Sequence, residues 1–350
     1  MTAHDLGPRH LCRGILTHPL GLHCQVQPDH IATGRLLDGL LRAVEQGATF
    51  LDTADSYGCG HSERVIGRFL REYPDLPLRL SSKVGQVRGT APHAFAGRHI
   101  HHQLEQSLEN LYAEHLDLYV LDSFDFGRGD RYLGNAIDMM RTLRDLGSIK
   151  AIGMRGPHMD YAASPAQRKA RAERFLYLFR LIKPDVVWTR FNAFTPAILL
   201  EGEDLFSFTA RHGVGLVLAA PLAHGALTGR AGEGVSSSRP VLPDLTRPTP
   251  RLTERVAEGL HTLQQRFGDA PGTLTRLALR WCLQRGDHCV VVVGFSSEAQ
   301  VQENYNCLGD ALTGHELAAV DEVYARFRAA LQEEPERHPA HEACEERRAG

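Results

Sequence analysis

GATFLDTADSYGCGHSERVIGR, Gly47 to Arg68, is the stretch whose reading decides the fold. Thr49 to Thr53 (TFLDT) reads as a short buried strand. Asp55, Ser56, Tyr57 and Gly58 form a turn, a polar Gly-containing link follows, and a helix opens near Ser62 and Glu63. Val65, Ile66, Phe69 and Leu70 give that helix one apolar face. Asp52 therefore stands at the C-terminal end of a strand, and Tyr57 on the loop just beyond it. In a parallel α/β barrel the loops after the strands build the active site. A carboxylate and a phenol at that spot are placed for chemistry rather than packing.

Outward from this stretch the strand-helix alternation repeats. Ile15 to Leu20 is the expected first strand. Ile31 to Gln46 is an amphipathic helix that Gly47 stops. Downstream, strands are expected at Leu78 to Val84, Leu116 to Asp122, Ile149 to Met154, Asp185 to Phe191, Gly215 to Ala220 and Cys289 to Phe295. Helical patterns separate them, and Pro184 blocks the one that ends at Ile182. Eight alternations with short links predict an α/β fold, a (β/α)8 TIM barrel. No Gly-x-Gly-x-x-Gly follows the first strand, which argues against a doubly wound sheet.

Some segments lie outside the eight repeats. Leu252 to Phe267 and Thr273 to Gln284 are two helices where one is expected, and Gly314 to Leu331 is another, so extra helices follow strands seven and eight. Gly229 to Pro250 is rich in Gly, Ser and Pro and reads as a long loop. A single barrel domain is expected over residues 1–331. The polar tail, 332–350, has too little apolar content to fold alone.

Composition narrows the classes. The chain has 350 residues, of which 43% are hydrophobic, and a net charge of -3 with acids and bases interspersed. That gives no electrostatic case for nucleic acid. The seven cysteines contain no CxxC pair, which fits reduced thiols and a cytoplasmic location. No apolar run reaches membrane length, and MTAHDLGPRH lacks a signal core, so no membrane association is expected. His99, His101 and His102 suggest a metal at first sight. Adjacent residues do not share a helix face, so a solvated face is the reading taken, with no metal.

Gly47, Asp52, Thr53, Ala54, Tyr57 and Gly58 fit the pattern Gly, strand, Asp-Thr-Ala-x-x-Tyr-Gly. On it the chain resembles the aldo-keto reductase family, over about residues 12 to 330. The resemblance implies a catalytic group of Asp52, Tyr57 and Lys83, the last in SSKVG at the end of the third strand. A buried lysine needs a partner, and Asp52 on the adjacent strand is the obvious one. The ammonium is then expected to lower the pKa of Tyr57, so that it donates and accepts a proton near neutral pH.

The same resemblance implies a dinucleotide site. Gly294, Phe295, Ser296, Gln300, Glu303 and Asn304, in VGFSSEAQVQENY, match the family's segment for the 2'-phosphate and adenine of NADPH. The glycine there is expected to let the chain turn. Pro221, Leu222 and Gly225, in APLAHGALTGR, match the loop that covers the pyrophosphate. NADP(H) is the expected cofactor. NAD stays open, because the Arg or Lys often used for the 2'-phosphate is missing.

Three positions depart from the family. Its histidine at the end of strand four is Asp122 here. Arg155-Gly156 stands where Ser or Thr with an amide residue holds the nicotinamide carboxamide. Trp188 replaces a Gln four residues before Asn192. Asp122 and Arg155 are expected to face each other over the pocket floor, with Asp122 either paired with Arg155, the reading taken, or desolvated and protonated so that it donates a hydrogen bond as the histidine would. Three functional readings follow. One is an NADPH-dependent oxidoreductase on a small polar carbonyl or alcohol, such as a sugar-like intermediate, with Tyr57 as proton donor. Another is a dehydratase or isomerase using Tyr57 and Asp122 as acid and base. The third is a cofactor-sensing partner protein, which the potassium-channel beta subunits illustrate within the family. The intact Asp52, Tyr57 and Lys83 speak against the third. Oligomeric state is open.

Overall fold

The computed structural model describes residues 7–26, 28–229 and 250–333. Most of the expected loop after strand seven and the tail beyond Glu333 lie outside those residues. Eight parallel strands close into a barrel in the order β10-β3-β4-β5-β6-β7-β8-β9. They are β3 (Leu20–His23), β4 (Phe50–Asp52), β5 (Arg79–Val84), β6 (Leu116–Leu121), β7 (Ile149–Arg155), β8 (Val186–Arg190), β9 (Gly215–Ala219) and β10 (Cys289–Val293). The fold is the expected (β/α)8 TIM barrel.

The first strand was misplaced in the sequence reading. Ile15–Thr17 is not a barrel strand but β2, and pairs antiparallel with β1 (Arg9–Cys12). The hairpin plugs the N-terminal end of the barrel: Leu11 and Ile15 join the cluster of interior side chains. Arg9 ties it down by donating to the carbonyls of Leu283, Gly286 and Cys289. A Cβ at Gly215 would lie 1.8 Å from Leu11 O, so the start of β9 admits no side chain under the plug. Pro19 cannot donate to a ladder, and the barrel strand begins only after it, at Leu20.

Strand periodicity explains why the functional groups converge. Phe50, Val120, Ala151, Val186, Trp188, Val217, Val290 and Val292 fill the interior. Their alternate neighbours, such as Leu51, Leu121, Val187 and Val291, belong to the larger core under the helices. Two residues beyond an interior position the chain points inward again. Asp52, Arg155 and Arg190 hold those positions at the C-terminal ends of β4, β7 and β8, and Asp122 the one just past β6.

The helices in chain order are α1 (His30–Glu45), α2 (His61–Glu72), α3 (Gly97–Leu111), α4 (Leu133–Asp145), α5 (Pro165–Ile182), α6 (Leu205–His212), α7 (Pro250–Phe267), α8 (Thr273–Leu283), α9 (Glu298–Asn306) and α10 (Gly314–Gln332). Local chemistry sets their starts. Asp29 accepts from the first-turn amides of α1, and Ser164 with Gln167 and Thr313 with Glu316 form capping boxes on α5 and α10. The added helices α7 and α10 follow strands seven and eight of the barrel, as expected. In the opening stretch, Gly67 lets α2 approach α3: a Cβ there would lie 2.0 Å from Asn110 O. None of the described helices is long and apolar enough to cross a membrane.

Candidate active site

Asp52 is the hub of the barrel mouth. It is fully buried. Its Oδ2 accepts from Lys83 Nζ at 2.8 Å, from His23 Nδ1 at 2.8 Å and from Trp188 Nε1 at 3.1 Å, while Oδ1 accepts from Ser81 Oγ at 2.9 Å. Burial alone would push this carboxyl up. The Lys83 ammonium and the His23 contact outweigh burial and hold it below the ordinary carboxylate range. Lys83, also buried, donates a second hydrogen bond to Thr53 O at 2.5 Å. Burial would lower its pKa, but Asp52, then Tyr57 and Asp122, keep it above the usual lysine value. The pair is therefore charged at every working pH.

Tyr57 sits over this pair. Lys83 Nζ lies 5.1 Å from the centroid of its ring and 4.8 Å from that of Trp188. One expectation needs correcting. Burial dominates at the phenol, and the opposing pull of Lys83 only moderates it, so the pKa is pushed up to about 12 rather than down toward neutrality. Tyr57 is thus held as a phenol, a proton donor.

Asp122 and Arg155 meet as expected. Arg155 Nη1 lies 3.3 Å from Asp122 Oδ1, and Asp122 is almost buried. Trp188, whose expected place is at the nicotinamide, directs its indole N–H to Asp52 and packs with the barrel interior. Its indole acts as a third donor that fixes the carboxylate.

The expected cofactor segments converge beside β9 and β10. Ser297 caps α9 by accepting from Gln300 N, and Gln300 Oε1 accepts from both Ser296 N and Ser296 Oγ, at 2.8 and 3.1 Å. Asn304 is buried; Phe295 turns against α1, where a Cβ on Gly39 would meet its ring. Glu303 lies farther along α9, where a Cβ on Gly272 would meet its side chain. Gly294 is not in the left-handed region, so the turn after β10 does not depend on it. The loop after β9, carrying Pro221, Leu222 and Gly225, is strained. Ala220, Ala223 and His224 all have positive φ, at 56°, 47° and 56°. Asn192 anchors it, donating to Ala220 O at 3.0 Å and to Tyr161 Oη at 2.8 Å. Arg42 from α1 reaches this corner but is engaged by Glu298.

Three mouth residues were missed from the sequence. His23 and Arg190 end barrel strands, and His158 is buried against Trp188 and Thr189. Burial, reinforced by Arg155, Arg190 and Arg171, holds His158 well below the usual histidine pKa and so neutral. A strand placed at Leu20–His23 would have flagged His23.

Behind the Tyr57 loop lies a second buried cluster. Asp55 Oδ2 accepts from Gln103, and Asp55 Oδ1, Ser107 Oγ and Tyr119 Oη have no hydrogen-bond partner among the described residues. Burial, opposed by the Gln103 bond and aided by Glu63, raises the Asp55 pKa from 3.8 to about 7. The folded protein therefore binds this proton more tightly than the unfolded chain. Stability from this group is present below about pH 4 and is lost as pH rises toward 7. Asp55→Asn should flatten that slope and gain about 2 kcal/mol at pH 8, with about 4 as the ceiling for such a shift. Urea melts at pH 5 and pH 8 check this. A variant whose stability parallels the wild type at both pH values would contradict it.

A closed parallel barrel with a buried Asp-Lys pair beneath a tyrosine at its C-terminal mouth defines an oxidoreductase-type site on a TIM barrel. The family profile described as "Aldo/keto reductase family" matches residues 26–325. The chain belongs to the aldo/keto reductase family of NAD(P)H-dependent oxidoreductases. It is 25% identical over 285 residues to the L-galactose dehydrogenase of Arabidopsis thaliana, covering 79% of this chain and 77% of that one. Among solved structures it is similar to the glycerol dehydrogenase of Gluconobacter oxydans, with a TM-score of 0.72 at 20% identity, over 95% of this chain and 99% of that one. It is also similar to an aldo-keto reductase from Klebsiella pneumoniae in complex with NADPH, with a TM-score of 0.62 at 21% identity, over 93% and 96% of the two chains.

Proposed function

We propose that the protein is an NADP(H)-dependent oxidoreductase acting on a small, hydroxyl-bearing carbonyl or alcohol, with Tyr57 as the proton donor. The observation that carries this reading is the buried Asp52–Lys83 pair with the protonated Tyr57 above it. The strained loop after β9 and the amide-rich start of α9 fit a dinucleotide: the first would cover the pyrophosphate, and Ser296, Gln300 and Asn304 would hold the adenosine end. When bound, the nicotinamide supplies or accepts the hydride. The chain's own part is proton handling and exclusion of water. Tyr57 gives its proton to the carbonyl oxygen, and Lys83 stabilises the phenolate left behind. The relatives named for L-galactose and for glycerol support a polyhydroxylated substrate, and the NADPH complex supports the cofactor.

The test is direct. NADPH should quench the protein's fluorescence, and NADPH should be consumed against a panel of aldoses, keto-sugars and glyceraldehyde. No binding of NADPH or NADH at millimolar concentration would overturn the reading.

The ion pair at the mouth supplies a further expectation. With Arg155 engaging it, Asp122 neither repels a developing alkoxide nor serves as a free base, which favours redox over acid-base dehydration. Arg155→Ala should cost about 1 to 2 kcal/mol of stability, since both groups are partly screened, and should abolish turnover. Asp122→His should raise reduction of simple aldehydes relative to hydroxylated ones. If neither substitution changed any NADPH-linked rate, the pair would be structural only.

A further inference from the structure

Resting on the reductase reading above, we propose that His23 is a specificity-determining residue: held by Asp52, its Nε2 accepts a hydrogen bond from a hydroxyl of the substrate. His23 ends β3 and is in register with Asp52 on β4. The Asp52 carboxylate, charged through its pairing with Lys83, can only accept, so the hydrogen of the 2.8 Å contact sits on His23 Nδ1. In the neutral ring that fixes the tautomer and leaves a lone pair on Nε2. Asp52 is wholly buried, whereas the His23 side chain beside it at the barrel mouth is 18% exposed. With Nδ1 committed to Asp52, Nε2 is the ring nitrogen left for a ligand at this partly exposed side chain. It has no hydrogen-bond partner among the described residues.

The ring also meets Tyr57 edge to face, with centroids 5.3 Å apart. An acceptor thus stands beside the proton donor, and one carboxylate oxygen orients both His23 and Lys83. An acceptor in that place has no use for a plain aliphatic aldehyde. It suits a carbonyl compound with a hydroxyl near the reacting carbon. A site built to bond a hydroxyl discriminates strongly against the analogue that lacks it, because the buried polar group is then left unpaired.

The experiment compares DL-glyceraldehyde with propanal, using NADPH, in the wild type and in His23→Phe, which keeps a ring against Tyr57. The substitution should lower kcat/KM for glyceraldehyde about 10- to 100-fold more than for propanal. An equal change for both aldehydes would overturn the proposal. Absence of NADPH oxidation by the wild type with either aldehyde would sink the reductase reading instead. A second measurement then decides the role of His23 alone. In protein labelled with 15N-histidine, the His23 signals, assigned by their loss in His23→Phe, should show an unprotonated Nε2 that shifts on adding glycerol but not 1-propanol. A ring protonated on Nε2 at neutral pH, or one indifferent to glycerol, would refute it.

Discussion

Replacing Tyr57 with phenylalanine is expected to lower turnover about several hundredfold or more, the scale of a lost general acid, with NADPH affinity nearly unchanged. The substitution removes one oxygen and keeps everything else that seats the ring. The edge-to-face contact with His23 and the Lys83 ammonium 5.1 Å from the ring centroid both survive. With its pKa pushed up to about 12, the wild-type hydroxyl is a donor throughout the neutral range. Reduction should therefore hold its rate well into alkaline pH. Alcohol oxidation, which needs the phenolate, should climb with pH. Steady-state rates in both directions from pH 6 to 10, with fluorescence titration of NADPH, check this. Equal turnover in Tyr57→Phe would move the chemistry to another group, with Asp122 the next to test.

How far the site was legible in the sequence depends on which neighbours each residue needs. Asp52, Tyr57 and Lys83 stand in short segments whose strand and turn signals are local, so their places at strand ends could be read, while the resemblance to the family implied that they act together. The Asp122–Arg155 contact followed in the same way, from adjacent strands that end side by side. His23 was lost because Ile15–Thr17 is as strand-like as Leu20–His23. Only the docking of β1 on the barrel floor, through Leu11 and Arg9, decides which of the two enters the barrel. The Tyr57 proton affinity went the wrong way for a different reason. Sequence shows the lysine that would lower it but not the depth of burial that raises it more. Trp188 likewise could be placed on its strand but not aimed: that its indole reaches Asp52 depends on the width of the barrel interior, which no local pattern encodes.

Lys83→Met should give the largest loss of stability, and a second substitution should separate that loss from catalysis. Lys83 and Asp52 are both buried, and removing the ammonium leaves the carboxylate with only His23, Trp188 and Ser81 as donors. Breaking such a pair costs about 3 to 5 kcal/mol. The pH dependence should also reverse. In the wild type the Asp52 pKa is depressed, so its contribution is present above the unfolded carboxylate value and is lost as pH falls through the folded one. Without Lys83 the largest remaining influence is burial, which raises the folded pKa. The variant's deficit should then be greatest at neutral pH and shrink in acid. Adding Asp52→Asn removes the stranded charge, so the double variant should recover most of the stability at pH 7. Turnover should stay lost, because nothing then stabilises the Tyr57 phenolate. Chemical denaturation at pH 5 and pH 7.5, with NADPH-linked assays on both variants, reads each half separately. A double variant that regained turnover along with stability would make the pair a structural ion pair and remove Lys83 from the proton-transfer step.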